Sequence, residues 1–345
     1  MPSGADRSST DLSAPTSALI GTAAGSTVAE VRSGIPIAVM SAMAFGLSGT
    51  MAAALLAAGW SAGAAVTARV VIAALVLVVP GVRALRRSSD ARFDWSLLRG
   101  NVGTIVVYGT LAVAGAQLCY FYAVSRLPVG VALLVEYTAP IAVVAWMWLV
   151  HRQRPRGLTV VGAGIALCGL PLLLDVSTWW GGSGGPDKGV DLLGVAWALA
   201  AMVGAAAYFV MSADDSTGLP PITLAASGLV VGAVVLGAAG LAGVLPIDVS
   251  DSDVSFRAAT VPWWVPIAVL GVVTAAFAYV TGIVATRKLG SRLASFVALS
   301  EVVAAIVFAW LLLGQVPMAV QLVGAAVVLV GVVVVRAGEM GRRAT

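Results

Sequence analysis

Ten long apolar stretches constrain the fold of this chain more than any other feature of its sequence. Each contains about 19 to 26 residues, enough for an α-helix to cross roughly 30 Å of hydrocarbon. They run over about 35–59, 62–80, 101–124, 129–150, 157–175, 191–211, 221–246, 262–286, 291–313 and 317–336. The strands of a membrane β-barrel are shorter and alternate in polarity, so they do not fit this pattern. The sequence predicts an all-α integral membrane protein with ten transmembrane helices.

The charged residues predict the orientation of these helices. Only 10% of the 345 residues are charged, whereas soluble domains have roughly a quarter. Lys and Arg are retained in the cytoplasmic loops of membrane proteins. With the N-terminus in the cytoplasm, 16 of the 20 Lys and Arg residues fall on the inner side. We therefore predict a multi-pass protein of the cytoplasmic membrane with both termini inside, and we interpret the net charge of +4 as topology rather than as nucleic-acid binding.

The two ends and the longest outer connection lack long apolar runs. Residues 1–33 are small and polar and do not have the charged and apolar regions of a signal peptide, so we expect a disordered cytoplasmic tail. Residues 176–190 are rich in Gly and predict an outer linker, and residues 338–345 predict a second cytoplasmic tail. Cys119 and Cys168 lie on different predicted helices and indicate neither a disulfide framework nor a metal site. We expect no cofactor.

The second half of the chain repeats the first. Shifting the sequence by 162 residues aligns residues 127–169 with residues 289–331 without a gap. The informative matches are Trp148 with Trp310, Gln153 with Gln315, Pro155 with Pro317, Gly162 with Gly324, Gly169 with Gly331 and Gly109 with Gly271. Residues 34–175 and 191–337 thus form two five-helix repeats. Because five is odd, the repeats are inverted relative to each other, and inverted repeats let a site near the midplane open to either side in turn. The sequence predicts a secondary transporter.

The turn and the helix that end each repeat carry a family resemblance. Proline-flanked turns precede the segments VGAGIALCG and VGAAVVLVG, and these paired halves resemble the EamA-type transporters of the drug/metabolite transporter (DMT) superfamily. The resemblance covers nearly all of the chain after the N-terminal tail. It implies transport of a small molecule, amino-acid-like or drug-like, across the cytoplasmic membrane, often by efflux. In that family the turn usually reads LGE, whereas Gln153 and Gln315 stand at the glutamate positions here, so no role of that glutamate is carried over.

Three charged side chains lie well inside predicted spans: Arg69, Glu136 and Glu301. A charge near the bilayer centre costs at least about 2.5 to 3.5 kcal/mol, so it usually faces a cavity or a partner. Arg69 and Glu136 each lie about seven residues from the outer end of a helix, roughly 10 Å below the outer boundary. We expect an ion pair that either holds the first repeat together or takes part in substrate binding or gating. We expect Arg69 and Glu136 to line a cavity near the outer side of the membrane. Further candidates for lining this cavity are Gln117, Tyr120 and Tyr137.

Glu301 lies close to the midplane of the ninth predicted helix. The second repeat offers no basic residue at that depth. Low dielectric penalises the charged form of a carboxyl group, which suits a group that takes up and releases a proton during transport. We therefore propose Glu301 as the proton-coupling residue. The alternative is a neutral glutamic acid that bridges helices through Ser300 or Thr138.

Glycines predict close packing of helices. Gly228 and Gly232 form a GxxxG pattern, and similar roles are predicted for Gly162, Gly164, Gly169, Gly324 and Gly331. Packing within one chain explains these residues better than a dimer seam does, so a homodimer is compatible with the sequence but unsupported by it. Tyr208 and Tyr279 could line a cavity, although packing explains either residue as well.

Other functional classes fit the sequence less well. An ATP-driven pump needs a Gly-Lys-Ser/Thr loop, but the lysines, Lys188 and Lys288, follow Asp and Arg. A membrane enzyme is a weaker alternative, since the single histidine, His151, lies in a basic inner turn and no metal-binding cluster is visible. We predict no enzymatic activity. A passive facilitator or exchanger is an alternative function that the sequence does not exclude, because such a protein would have the same inverted repeat. The expected partners are a small-molecule substrate, the lipid bilayer and protons.

Overall fold

Helices make up both repeats of the chain. A computed structural model describes residues 16–88, 95–139, 141, 157–173, 191–212, 214 and 216–340. The first repeat contains α1 (Thr16–Ala57), α2 (Ala62–Ser88), α3 (Trp95–Gly100), α4 (Val102–Val107), α5 (Ala116–Val124), α6 (Val129–Glu136) and α7 (Gly157–Leu173). The second contains α8 (Leu192–Ser212), α9 (Pro221–Leu241), α10 (Trp264–Ala268), α11 (Ala278–Val297), α12 (Leu299–Phe308) and α13 (Ala319–Met340).

Wider helical turns and one hairpin complete the described structure. Three π-helical segments continue neighbouring helices: π1 (Tyr108–Gly115), π2 (Val269–Phe277) and π3 (Ala309–Leu313). A short antiparallel hairpin of β1 (Val254–Ser255) and β2 (Thr260–Val261) lies in the connection between α9 and α10.

Nine of the ten predicted spans coincide with apolar helices among the described residues. Six stretches are long and apolar enough to cross a membrane: Ser33–Ala57, Ala62–Arg87, Val102–Val124, Leu192–Ser212, Pro221–Leu241 and Trp264–Leu289. Three shorter apolar helices cover Gly157–Gly169, Leu299–Leu313 and Ala319–Val335. The remaining span, 129–150, is described only through residue 139 and at residue 141, so the number ten stays a prediction. The helices support a multi-pass membrane protein.

Four helices extend by several residues beyond the boundaries that the sequence predicts. α2 continues to Ser88 rather than to residue 80, and α13 continues to Met340, into the predicted tail at 338–345. α1 begins at Thr16, so residues 16–32 are helical where we expect a disordered tail; this stretch is rich in Ala and has no proline. α11 continues to Val297 through the predicted connection near residues 287–290. The equivalent connection of the first repeat contains Pro128, which lacks a backbone donor, whereas the second repeat has no proline there and its helix continues.

Several predicted connections lie outside the described residues. They are the outer linker at 176–190, the turn that contains His151, Gln153 and Pro155, and the C-terminal end beyond residue 340.

Each repeat packs mainly against the other repeat. α1 contacts α11, α12 and π2, and its counterpart α8 contacts α5, α6 and π1. α2 contacts π2, and its counterpart α9 contacts π1. α2 also contacts α9, and α7 contacts α13. Exchanging the repeats reproduces the same set of contacts, so the interface between the repeats is the core of the bundle.

Glycines let α7 and α13 touch backbone to backbone. A Cβ added at Gly162 would lie 2.4 Å from the backbone nitrogen of Val335, and one added at Gly331 would lie 2.3 Å from that of Ala166. The predicted packing role is confirmed at both glycines. Gly164 has nothing within 4 Å of an added Cβ among the described residues, so the same prediction is wrong for Gly164.

The GxxxG pattern of α9 faces the chain's own third span. A Cβ added at Gly228 would lie 2.5 Å from the Tyr108 ring, and one added at Gly232 would lie 2.9 Å from the Val113 side chain. Both contacts are intramolecular, as the sequence predicts. The pattern therefore serves packing within one chain.

We expect Gly162→Ala to lower the melting temperature of the detergent-purified protein. The new methyl group would press on backbone atoms that cannot rotate away, and overpacking of this kind costs typically about 1 to 3 kcal/mol. Gly164→Ala in the same helix is the matched control; it should melt at or above the wild-type temperature, because Ala is favoured over Gly in a helix by roughly 0.5 to 1 kcal/mol. Equal melting of the two variants would contradict the backbone contact.

Candidate functional site

The two repeats present a backbone carbonyl at equivalent positions. π1 and π2 occupy nearly the same place in their repeats when the shift of 162 residues is applied. The Ala112 carbonyl in π1 accepts a hydrogen bond from the Tyr279 hydroxyl at 3.2 Å, and the Thr274 carbonyl in π2 accepts one from Arg69 Nη2 at 2.6 Å. Ala112 and Thr274 are themselves equivalent. π-helical turns frequently occur at functional sites, and here each one holds a polar side chain from the opposite repeat.

Arg69 is fully buried and is held by both repeats. Its Nη1 donates to Gln117 Oε1 of α5, in addition to the Nη2 bond to Thr274 of π2. The guanidinium carbon lies 5.6 Å from the centre of the Phe121 ring, in range for a cation–π contact. These contacts fix the position of the positive charge between the first and the second repeat.

The predicted ion pair between Arg69 and Glu136 is not formed. In the parts of the chain that the structure describes, the only salt bridge joins Arg126 and Asp191. Arg69 and Glu136 still interact electrostatically at longer range. The sequence indicates how deep each residue lies in the membrane but not how each helix is rotated about its axis. In the structure the Arg69 guanidinium faces α5 and π2 and not Glu136.

Glu301 is bound by the first repeat. It lies in the first turn of α12, where the helix dipole favours a negative charge. The Tyr137 hydroxyl donates a hydrogen bond to Glu301 Oε2 at 2.5 Å. The charge of Arg69 also acts on Glu301. The second repeat is expected to offer no basic residue at this depth, and the basic residue that acts on Glu301 belongs to the first repeat.

Ser300 and Thr138 bond to their own backbones rather than to Glu301. The Ser300 hydroxyl donates to the Val297 carbonyl at 2.6 Å, and the Thr138 hydroxyl donates to the Val135 carbonyl at 2.7 Å. The two hydroxyls are equivalent under the repeat shift. Thr138 lies in the turn that follows α6, and Ser300 lies in the first turn of α12, two residues after the interruption at Ala298. They stabilise matched breaks in the fourth and ninth spans, and the predicted bridge through them does not form.

Glu136 differs from Glu301 in that it has no hydrogen-bond or ion-pair partner among the described residues. It is the last residue of α6, where the helix dipole disfavours a negative charge, and its side chain is partly exposed. Its carboxylate interacts electrostatically with Glu301 and Arg69.

Aromatic rings extend the site toward α1 and α8. Gln117 Nε2 donates to the Tyr279 hydroxyl at 3.3 Å, and these two residues are again equivalent under the repeat shift. The centre of the Tyr279 ring lies 5.3 Å from that of Phe45 and 5.6 Å from that of Tyr208, in edge-to-face geometry. Phe45 and Tyr208 are partly exposed, so they offer apolar surface beside the polar network.

The predicted site residues separate into two groups. Hydrogen bonds or electrostatic interactions link Arg69, Gln117, Glu136, Tyr137 and Glu301. Tyr120 is buried against Gly49 of α1, and Thr138 and Ser300 serve the helix breaks. Sequence reasoning missed Phe45 and the Thr274 carbonyl. From the sequence, Tyr279 is expected only as an aromatic residue that could line a cavity; the signal for its place in the network is that it lies 162 residues after Gln117. Within the described residues, no three His, Cys, Asp or Glu side chains cluster as metal ligands.

A second set of contacts joins the repeats at the predicted outer ends of the helices. Gln315 Oε1 accepts a hydrogen bond from the backbone N–H of Val129, the first residue of α6, at 3.3 Å. The Gln315 amide thus supplies an acceptor that a glutamate would also supply. Arg126 forms an exposed salt bridge with Asp191 at 3.1 Å. The Gly194 backbone N–H and the Arg126 side chain hold the pKa of Asp191 below its ordinary value.

Comparisons with known proteins agree with this architecture. The sequence model of the EamA-like transporter family matches residues 32–174 and 192–337, one match in each repeat. A solved structure titled "Crystal structure of protein" is similar over 91% of this chain and 99% of its own, with a TM-score of 0.57 and 21% sequence identity, which supports the fold alone. No curated protein matches the sequence significantly.

Proposed function

The chain belongs to the EamA-like transporter family, and from this premise we propose that it is a secondary transporter that exports a small metabolite by alternating access. It would lie in the cytoplasmic membrane with both termini in the cytoplasm, as the basic loops predict. Residues 34–175 and 191–337 would form its two inverted five-helix repeats. An amino-acid-like or drug-like compound is the proposed class of substrate.

The polar contacts across the repeat interface carry this proposal. Several hydrogen bonds join side chains of the first repeat to groups of the second, and three of them lie at the candidate site: Tyr137 to Glu301, Arg69 to the Thr274 carbonyl, and Gln117 to Tyr279. Alternating access requires one repeat to move against the other around a site near the midplane. Any such movement must change these contacts, so binding at this interface can favour one state over the other.

Proton coupling through Glu301 is the second part of the proposal. A carboxyl group that exchanges a proton must be able to lose and regain its hydrogen-bond partners without unfolding its helix. Glu301 would meet this requirement, because its partner Tyr137 belongs to the opposite repeat and would separate from it if the repeats moved. Protonation would then be linked to the conformation of the transporter.

Uptake into everted membrane vesicles tests the proposed function. Vesicles that contain the protein are offered a panel of labelled amino acids and small amines, with and without an uncoupler. Uptake that exceeds the level in vesicles without the protein and collapses with the uncoupler is expected. Uptake that persists with the uncoupler would support passive exchange instead, and no uptake of any compound would contradict the transport proposal.

A further inference from the structure

A ligand at the repeat interface meets two acidic side chains, one from each repeat. Glu136 and Glu301 are both partly exposed, and their charges act on each other. Glu301 has the Tyr137 hydroxyl as a donor, whereas Glu136 has no hydrogen-bond donor among the described residues. The unmatched carboxylate therefore calls for a donor on the ligand.

Arg69, the basic residue that interacts with both carboxylates, is closed to a ligand. It is 0% exposed, and its two Nη atoms are occupied by Gln117 and the Thr274 carbonyl. Phe121 lies beside the guanidinium. The Nε of Arg69 has no hydrogen-bond partner in the described part of the chain but is also buried, so a substrate carboxylate could reach Arg69 only after the side chains around it rearrange. The partly exposed ionisable groups of the site are therefore the two acidic side chains and not Arg69.

Aromatic rings lie beside these carboxyl groups, and a buried hydroxyl lies on the face of α1 that carries Phe45. Tyr208 interacts electrostatically with Glu301, and Tyr279 interacts with both carboxylates. Phe45 packs edge-to-face on Tyr279. Ser48 lies one helical turn from Phe45 on the same face of α1; it is 2% exposed, and its hydroxyl has no hydrogen-bond partner in the described part of the chain. A hydroxyl oxygen accepts bonds from an ammonium group, and aromatic faces attract cations.

We infer that this site takes an amine cation that carries an aromatic or other flat apolar group and no carboxylate. The ammonium group binds Glu136, and the apolar group packs against Phe45 and Tyr208. This inference rests on the proposed transport function, since it names the class of substrate for the same site.

Phenethylamine and phenylalanine form a matched pair of probes, because they differ by the carboxylate alone. Binding of each to the purified full-length protein is measured by titration calorimetry. Phenethylamine should bind at least roughly 10-fold more tightly, since its ammonium gains a charge-assisted bond to Glu136 and it brings no unpaired carboxylate into an acidic site. Phenylalanine binding as tightly as phenethylamine, or no binding of phenethylamine, would overturn the inference.

A variant pair assigns the effect to Glu136. Glu136→Gln should weaken phenethylamine binding by roughly 10-fold to 100-fold, whereas the control Asp251→Asn, which removes an exposed carboxylate, should leave it unchanged. Equal affinity of Glu136→Gln and wild type would overturn the assignment, and the wild-type ligand pair still decides the inference if this variant does not fold. Transport of phenylalanine but not phenethylamine would contradict the inference alone. Binding of phenethylamine without transport of any compound would support the inference and contradict the proposed function.

Discussion

Glu301→Gln is expected to abolish uphill transport driven by a proton gradient while leaving exchange of substrate between the two sides. Glutamine has nearly the same shape as a protonated glutamic acid, and its amide oxygen can still accept the hydrogen bond from Tyr137. It cannot release a proton at any pH. The measurement uses proteoliposomes loaded with the substrate that the vesicle panel identifies, first with an imposed pH gradient and then in counterflow without one.

Tyr137→Phe is the matched control for this experiment. It removes the hydroxyl that donates to Glu301 but keeps the carboxyl group, so gradient-driven accumulation should slow without disappearing. Persistence of gradient-driven accumulation in Glu301→Gln would show that the proton is carried elsewhere. Loss of counterflow together with accumulation would indicate a structural role for Glu301, and the coupling proposal would be withdrawn.

Arg69→Met is expected to reduce both stability and transport. The substitution leaves the Gln117 oxygen and the Thr274 carbonyl without their buried donor, and it removes the positive charge that acts on Glu136 and Glu301. Removing one partner from a buried charged network typically costs about 3 to 5 kcal/mol. The melting temperature in detergent and the rate of vesicle uptake should therefore both fall clearly below the wild-type values.

Two further variants test whether the loss of stability in Arg69→Met comes from the loss of its buried charge. Arg126→Met removes an arginine from an exposed salt bridge and should barely change the melting temperature, because solvent screens such pairs. Adding Glu136→Gln to Arg69→Met removes one uncompensated acidic charge and should restore part of the lost stability. Wild-type melting of Arg69→Met would contradict the structural account of this residue.

The internal repeat made much of the fold predictable. The shift of 162 residues paired Gly162 with Gly324 and Gly169 with Gly331, and the structure brings these helices together. The reason is physical: a helix that must approach another helix within backbone contact needs a residue without a side chain at the crossing point. Gly164 shows the limit of this reasoning, because a glycine on the open face of the same helix has no such requirement.

The partners of the charged residues were less predictable. Hydropathy gives the depth of Arg69, Glu136 and Glu301, and the structure brings their charges within range of one another. Hydropathy gives no information on the rotation of a helix about its axis. This rotation decides that Arg69 binds Gln117 rather than Glu136. The carbonyl of Thr274 is available through a π-helical turn, and the sequence around it is a plain apolar run with no proline or polar cluster to mark the distortion.

Labelling of one cysteine from both sides of the membrane tests alternating access most directly. Ser300→Cys, beside Glu301 and partly exposed, is introduced into a chain in which Cys119 and Cys168 are replaced by serine. Intact cells and everted vesicles are treated with a membrane-impermeant maleimide, and the parent chain without cysteine is the control. We expect labelling in both preparations, because the repeat interface opens to each side in turn. Labelling from one side only, in a variant that still exchanges substrate, would contradict this account.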